Sequence, residues 1–370
     1  MRDRLLSIDA LRGLCMLCIL GLGDFICAAC GLFPGGGDCW LARQMQHVPW
    51  NGLAIEDLFF PTFLFLAGVS FPFSLEKQLA RGDSRLKIHL KILKRMVILI
   101  FCGFLYIGLL RCDFAHFGFG SVLGRIGFAW AMAAMVFVNV RRNSVRAAIL
   151  ATLLVGYWAL NRFASAPDFP GAELFSPEGT FSCSVDRLVF GKARMYRYPF
   201  MSEGLLGSVS AIGTAMIGMF AGSLLKRMRD EAWPAVRQVV TLAAASVSLL
   251  AAGYAFSLLM PINKAIWSSS YVLVAAGWSL TALTLFHWVI DLQGRFRDSS
   301  LVLRVVGMNS ILLYMAPLVI NYRHATNFFV GGIRTLLPTA VGDFVWWGVY
   351  IFLNWLLAWF LHRQRLYFKV

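Results

Sequence analysis

The chain has 370 residues, of which 59% are apolar and only 14% are charged, whereas soluble globular proteins carry about 25% charged residues. The mean hydropathy of +0.68 exceeds what one water-facing core of this size can bury, and it excludes intrinsic disorder, coiled coils and disulfide scaffolds. The net charge of +15 does not indicate nucleic-acid binding, because the basic residues are distributed by membrane side. The composition therefore predicts a polytopic integral membrane protein.

Ten stretches are apolar enough to be membrane spans, for which a helix needs about 20 residues. They are continuous apolar runs rather than alternating in-and-out strands, which argues against a β-barrel. We predict an all-α protein with about ten transmembrane helices, forming a single transmembrane domain over residues 1–370. The spans are expected near 11–33, 53–75, 93–110, 121–140, 146–160, 204–225, 238–259, 267–290, 303–321 and 344–361.

Lys and Arg residues set the predicted orientation, because they concentrate on the cytoplasmic side of membrane proteins. With the N-terminus inside, 23 of the 34 Lys and Arg residues lie in the predicted inner segments. We therefore expect both termini in the cytoplasm and two larger outer loops, 34–52 and 161–203. The positive inner face would also attract anionic membrane lipids.

Four cysteines in the first span have the spacing of a metal site: Cys15, Cys18, Cys27 and Cys30. A single apolar span has no hairpins to bring them into tetrahedral geometry, so we interpret them as small packing residues and predict no metal. Three others fall on the predicted outer side, where an oxidising compartment would allow two of them to pair: Cys39, Cys112 and Cys183. Motifs of soluble nucleotide-binding and hydrolytic enzymes are absent from the sequence.

The densest polar cluster follows the first span. Gly35–Gly37 precede His47, and the turn Pro49–Gly52 leads to Glu56 and Asp57 at the start of the second span. Histidine is the natural general base or nucleophile near neutral pH, and a helix N-terminus favours developing negative charge. An anchoring role for His47 at the membrane interface, and a capping role for the two carboxylates, stay open at this point.

Polar side chains at membrane depth are costly, so each one is a functional candidate. Those that stand out elsewhere are Asp9 with Arg12, Arg125, Asn263 with Lys264, Asn309 with Ser310, and His287 with Asp291. A buried interhelical hydrogen bond is the simpler interpretation for most of them, and a local pair for His287 with Asp291.

Seven motifs, taken in order, resemble those of the heparan-α-glucosaminide N-acetyltransferase family and its bacterial relatives over essentially the whole chain. The first two are Arg4-Leu5-x-Ser7-x-Asp9-x-x-Arg12-Gly13 and His47-x-x-Trp50-Asn51-Gly52-Leu53-x-x-x-Asp57-Leu58-x-Phe60-Pro61. The others are Val122-Leu123-x-Arg125-Ile126-Gly127, Asp186-Arg187, Glu203-Gly204-Leu205-Leu206, Pro261-x-Asn263-Lys264-x-x-Trp267-x-x-Ser270-Tyr271 and Gly307-Met308-Asn309-Ser310.

This resemblance implies a transmembrane acetyltransferase that moves acetyl from cytosolic acetyl-CoA to a glucosamine-like amino sugar on the far side. His47 stands at the position of the family's catalytic histidine, and the chemistry is either an acetyl-His intermediate or direct transfer with His47 as base. The residues expected to bind the acceptor are Trp50, Asn51, Asp57, Asn263, Lys264 and Asn309. Arg12 and Arg125 are expected to bind the CoA. A bacterial inner membrane is the expected location, and a homodimer is left open.

One position departs from the family pattern. An Asn near the outer end of the first span takes part in the family's chemistry, and an ungapped count places Gly23 there, with Asp24 beside it. Either Asp24 replaces this Asn as a second catalytic residue, or the acceptor or the activity has changed.

A transporter or flippase for an anionic or glycan substrate is the alternative function. It would use the same polar clusters as a pathway. Transporters typically contain paired repeats with interrupted helices, and the absence of an internal duplication in this sequence weighs modestly against this alternative.

Overall fold

The computed structural model describes residues 5–118 and 120–368. Every regular element in this part of the chain is helical, which confirms the all-α prediction. Three basic residues that were counted on the predicted inner side lie outside the described residues: Arg2, Arg4 and Lys369.

The described residues form fifteen α-helices. They are α1 (Leu6–Leu17), α2 (Gly23–Cys30), α3 (Trp40–Gln44), α4 (Phe59–Ala80), α5 (Arg85–Tyr106), α6 (Val122–Asn139), α7 (Asn143–Phe163), α8 (Phe181–Phe190), α9 (Leu205–Asp230), α10 (Ala235–Phe256), α11 (Ser269–Phe286), α12 (Leu301–Met308), α13 (Ser310–Met315), α14 (Tyr322–Leu336) and α15 (Thr339–Arg363). The π-helical turn Cys18–Leu22 joins α1 to α2, a second π-helical turn, His287–Leu292, extends α11, and the 3₁₀ turn Ile55–Leu58 leads into α4.

Eight helical segments among the described residues are long and apolar enough to cross a membrane, and the bent pair α12 and α13 would make a ninth. This confirms an integral membrane protein, with eight or nine candidate spans against about ten predicted. The difference is the predicted span 93–110, which falls in α5. Lys91, Lys94 and Arg95 lie inside this helix and shorten its apolar part. The orientation of both termini stays a prediction.

The described residues form two compact units. The first contains residues 5–48, 53–63 and 282–368, and the second contains residues 49–52 and 64–281. The single domain over residues 1–370 stays a prediction.

Helices α1 and α12 of the first unit pack closely through two glycines. A Cβ on Gly13 would lie 1.9 Å from the carbonyl oxygen of Leu303, and a Cβ on Gly307 would lie 1.9 Å from that of Asp9. Small residues allow such backbone approach between membrane helices, which make contact here without a strong hydrophobic drive. The glycine of the Gly307-Met308-Asn309-Ser310 motif is therefore a helix-contact residue.

Asp291 holds the first turn of α1 in the same unit. Its Oδ1 accepts hydrogen bonds from the backbone N–H groups of Leu6 (3.0 Å) and Ser7 (3.4 Å). Its Oδ2 lies 3.0 Å from Nδ1 of the buried His287, as the predicted local pair requires. These bonds satisfy N–H groups that a helix start leaves without internal partners.

Asn309 lies at the 70° bend between α12 and α13. Its buried amide donates to the carbonyl oxygen of Leu366 (2.9 Å) and accepts from the N–H of Phe368 (3.1 Å). Both ends of the side chain are thus bonded to the backbone of the C-terminal segment. The bend and the segment are fixed to each other by this one side chain.

Helix α9 is central in the second unit, where it packs against α6, α7, α8 and α10. It also approaches α4 closely: a Cβ on Gly218 would lie 2.2 Å from the carbonyl oxygen of Phe65, and one on Gly222 would lie 2.2 Å from that of Val69. The two glycines are four residues apart, the spacing by which membrane helices bring their backbones together.

Replacing Gly307 by Ala is expected to destabilise the protein by about 1–3 kcal/mol, because the added methyl group overpacks the contact between α1 and α12. Thermal unfolding in detergent measures the effect. The control is Gly332→Ala, on the exposed part of α14, where nothing lies within 4 Å of the added carbon. Equal melting temperatures for Gly307→Ala and the parent would contradict the close packing.

Candidate functional site

Two adjacent segments of the first unit bring together His47 and Asp57. His47 follows α3, and Asp57 lies in the 3₁₀ turn that leads into α4. The side-chain oxygen of Gln44, at the end of α3, accepts a hydrogen bond from the N–H of Ile55 (3.1 Å). This bond holds the end of one segment against the start of the other.

Asp57 orients the ring of His47. Its Oδ1 lies 2.8 Å from His47 Nδ1, and its Oδ2 accepts from the backbone N–H groups of Val48 (3.3 Å) and Ala54 (3.2 Å). The Asp57 side chain is 1% exposed, whereas that of His47 is 57% exposed. Asp57 therefore performs the predicted capping role and also presents the imidazole to its surroundings.

The bond to Asp57 also sets the tautomer of His47. An ionised carboxylate can only accept, so Nδ1 carries the proton and the lone pair of the ring is on Nε2. A histidine held by a carboxylate in this way is suited to act as a general base or as a nucleophile through Nε2.

Asp24, the second catalytic candidate, is exposed on α2. The carboxylate that lies beside Gly23 belongs to Glu56 instead. A Cβ on Gly23 would lie 2.9 Å from Glu56 Oε2. Sequence order alone gave no sign of this contact, because the two residues are separated by a loop and a helix.

In the second unit, Asn263 joins the turn 49–52 to the segment before α11. Its Nδ2 donates to Asn51 Oδ1 (3.0 Å), and the N–H of Gly52 donates to the carbonyl oxygen of Ile262 (2.8 Å). The other amide atom of Asn263 accepts from the N–H of Ile266 (3.1 Å). Asn263 is fully buried and Asn51 is exposed, so Asn263 holds Asn51 in place.

Trp267 closes the same segment in a strained conformation. Its φ is +53°, a left-handed value that bulky residues rarely adopt. The indole is fully buried and donates to Thr214 Oγ1 (3.1 Å). Such strain persists only where the surrounding structure holds it, and it is common at functional sites.

Arg125 lies buried against this segment, with its guanidinium 4.9 Å from the centre of the Trp267 ring. It donates from Nη2 to the carbonyl oxygen of Gly204 (3.3 Å) and from Nε to Ser208 Oγ (3.3 Å). No carboxylate of the described residues lies within 4.0 Å of it. Asp186 and Glu203 supply opposite charges nearby, without a direct hydrogen bond to the guanidinium.

The loop 161–203 supports Trp50. The indole N–H of Trp50 donates to the carbonyl oxygen of Phe175 (2.7 Å), and its ring packs edge-on against Phe200 at 4.7 Å. Arg187 fixes this loop: its guanidinium is paired with Asp168 through two nitrogens and donates to three backbone carbonyls, those of Pro177, Glu178 and Pro199.

Asp186 caps α9 next to the Arg125 contact. Its Oδ1 accepts from the N–H of Leu205 (2.8 Å), and Gly204 is required there because a Cβ would lie 1.8 Å from Asp186 Oδ2. Burial raises the pKa of Asp186 to about 6, against the lowering effects of the Leu205 hydrogen bond and of the charges of Arg125 and Arg187.

The remaining predicted residues do not join either group. Arg12 lies on α1 with Nη1 3.7 Å from Asp9 Oδ1, as predicted for this pair. Lys264 is half-buried beside Asn263, and Asn309 is bonded to the C-terminal segment. The structure thus gathers Trp50, Asn51, Arg125 and Asn263 in the second unit and His47 with Asp57 in the first.

Comparison with known proteins reveals a distant relationship. Residues 4–112 match a family described as a domain of unknown function, DUF5009. The heparan-alpha-glucosaminide N-acetyltransferases of Mus musculus and Homo sapiens are both 24% identical to the chain, over 100% and 99% of its length. The chain spans about three fifths of these curated relatives, 61% and 60%. It is a distant relative of these enzymes, which confirms the resemblance of its motifs.

The pKa of Asp186 gives a pH-dependent stability. Because the folded pKa of about 6 exceeds the ordinary value of 3.8, the folded state binds the proton more tightly than the unfolded state. This contribution stabilises the protein at low pH and is lost as the pH rises through about 6. We expect the melting temperature of Asp186→Asn to gain on that of the parent between about pH 4 and pH 7. Melting temperatures that change with pH in parallel for the two proteins would contradict the raised pKa.

Proposed function

We propose that the chain is a transmembrane acetyltransferase of a bacterial inner membrane, with cytosolic acetyl-CoA as donor and an amino sugar such as a glucosamine end as acceptor. The distant relationship to N-acetyltransferases supports the reaction class. The eight or nine candidate spans support the membrane setting. The observation that carries the proposal is the buried Asp57 that orients the exposed imidazole of His47.

His47 Nε2 can act in two ways. As a nucleophile, it attacks the thioester carbonyl carbon, the C–S bond breaks and CoA leaves; the acceptor nitrogen then attacks the acetyl-imidazole and the C–Nε2 bond breaks. As a base, it takes a proton from the acceptor nitrogen while that nitrogen attacks the thioester directly, and it returns the proton to the departing sulfur. In both routes Asp57 stabilises the positive charge that the ring acquires.

The second unit supplies polar groups that fit the two substrates. We assign Trp50 and Asn51 to the acceptor, because an aromatic face and an exposed amide suit the faces and hydroxyl groups of a sugar. Asn263 acts through Asn51, since its own amide is bonded to protein partners. Lys264 and Asn309 stay candidates for the acceptor without a contact that favours them.

Arginines are suited to the anionic parts of CoA because their guanidinium groups match phosphate geometry. Arg125 stays a candidate with neutral hydrogen-bond partners, but it lies beside Gly204, at the end of the predicted outer loop and away from the inner face. Arg12 lies near Asp9, and its predicted position at the inner face suits a cofactor from the cytosol. With His47 on the predicted outer side, the pantetheine arm must carry the acetyl group across most of the membrane.

His47→Ala is expected to reduce acetyl transfer by at least about 10²–10⁴-fold, the range for loss of an acid or base. Asp57→Asn should cause a comparable loss, because an amide cannot enforce the same tautomer. Release of free CoA thiol from acetyl-CoA and glucosamine measures the activity of purified protein.

The matched control for this pair is His116, an exposed histidine with Nδ1 2.9 Å from Asp113 Oδ2. His116→Ala should retain full activity and shows that the loss is not a general effect of removing a histidine. Full thiol release by His47→Ala would refute the catalytic role. Sugar flux into liposomes without thiol release would support the transporter alternative.

The sidedness can be tested with Gln46→Cys, an exposed position next to His47. In a background carrying Cys39→Ser and Cys112→Ser, a membrane-impermeant maleimide should label position 46 in intact cells. Arg142→Cys, exposed in the predicted inner loop before α7, is the opposite control and should react only after permeabilisation. Labelling of position 46 only after permeabilisation would contradict an outer His47.

A further inference from the structure

The contact between Gly23 and Glu56 places a second carboxylate beside Gly23, on the same 3₁₀ turn as Asp57. A Cβ on Gly23 would lie 2.9 Å from Glu56 Oε2 and 3.7 Å from the carbonyl oxygen of Met45. Met45 lies two residues before His47, and Glu56 directly precedes Asp57 in the same 3₁₀ turn. The Glu56 carboxylate therefore lies beside the segment that carries the imidazole.

Gly23 makes this position available to Glu56. Gly23 is buried at the start of α2, and a contact of 2.9 Å to a Cβ is shorter than real side chains tolerate. Any larger residue at position 23 would push the Glu56 carboxylate away from where it lies. The missing side chain of Gly23 and the place of the Glu56 carboxylate are thus one structural feature.

We propose that Glu56 binds the ammonium group of the acceptor and takes its first proton; this inference rests on the proposed function. At neutral pH an amino sugar is largely an ammonium ion, whose nitrogen has no lone pair and cannot attack a carbonyl. Asp57 is not placed to take this proton, since its oxygens bond to His47, Val48 and Ala54. Glu56 is the other carboxylate of that turn.

Acetyl transfer to the ammonium form of the acceptor releases one proton overall. The ammonium transfers one proton to Glu56 and becomes a neutral amine. Its nitrogen then forms a bond to the acetyl carbon. In direct transfer the C–S bond of acetyl-CoA breaks in this step; in the other route CoA has already left, and the C–Nε2 bond of acetyl-His47 breaks. His47 carries the second amine proton to the CoA sulfur. The products are the N-acetyl sugar, CoA thiol and one proton, which Glu56 releases to solvent.

The assignment makes Glu56 a residue that distinguishes acceptors. A carboxylate binds an ammonium more strongly than a neutral hydroxyl group, so it favours an amino sugar over the corresponding neutral sugar. It also distinguishes Glu56 from Asp24, whose side chain is exposed on α2.

The test compares Glu56→Gln, which removes the charge at nearly constant shape, with the parent enzyme. The KM for glucosamine should rise by about tenfold or more, as expected for the loss of a hydrogen bond to a charged group. The KM for acetyl-CoA should be unchanged, a separation that a general structural defect would not produce. The matched control is Asp38→Asn, which neutralises an exposed carboxylate in the turn Gly36–Asp38 and should alter neither constant.

A further variant keeps the test independent of the folding of Glu56→Gln. Gly23→Ala retains the carboxylate but displaces it, and should also raise the glucosamine KM selectively. An unaltered glucosamine KM in both Glu56→Gln and Gly23→Ala would overturn the inference. A parent protein that releases no thiol from acetyl-CoA with glucosamine would instead refute the proposed function.

Discussion

The candidate chemistry depends on one buried carboxylate. Asp57 accepts from two backbone N–H groups through Oδ2, and its Oδ1 lies 2.8 Å from Nδ1 of His47, so the ring has one orientation and one tautomer. Removing one partner of such a pair leaves a buried charge or an unoriented ring, and both are costly. The turn that carries Asp57 also carries Glu56, so the same short segment sets the position of both acidic groups.

The structure brings residues from several motifs of the second unit into contact with one another. Arg125, Gly204 and Asn263 are far apart in the sequence, yet Arg125 bonds to the carbonyl oxygen of Gly204 and packs on Trp267, four residues after Asn263. Asn263 in turn bonds to Asn51, which belongs to the motif that begins at His47. Residues from several of the matched motifs thus form one polar cluster in the second unit.

Properties that depend on local composition could be predicted from the sequence, and long-range contacts could not. Apolar stretches and the local pair of His287 with Asp291 follow from a helix's length and period. The predicted span in α5 is not among the candidate spans, because Lys94 and Arg95 lie at its start, and α14 was missed because its apolar residues lie on one face only. The approach of Glu56 to Gly23 leaves no periodic signal, since a glycine shows only that space is needed, not what fills it.

The bonding of α1 to Asp291 has a consequence for biogenesis. During synthesis α1 leaves the ribosome before Asp291, the acceptor for its opening N–H groups, which lies 285 and 284 residues later in the chain. Its close neighbour, α12, begins only at Leu301. Helix α1 is therefore without these contacts until Asp291 and α12 have been synthesised. A truncated nascent chain would leave that helix exposed to quality-control proteases.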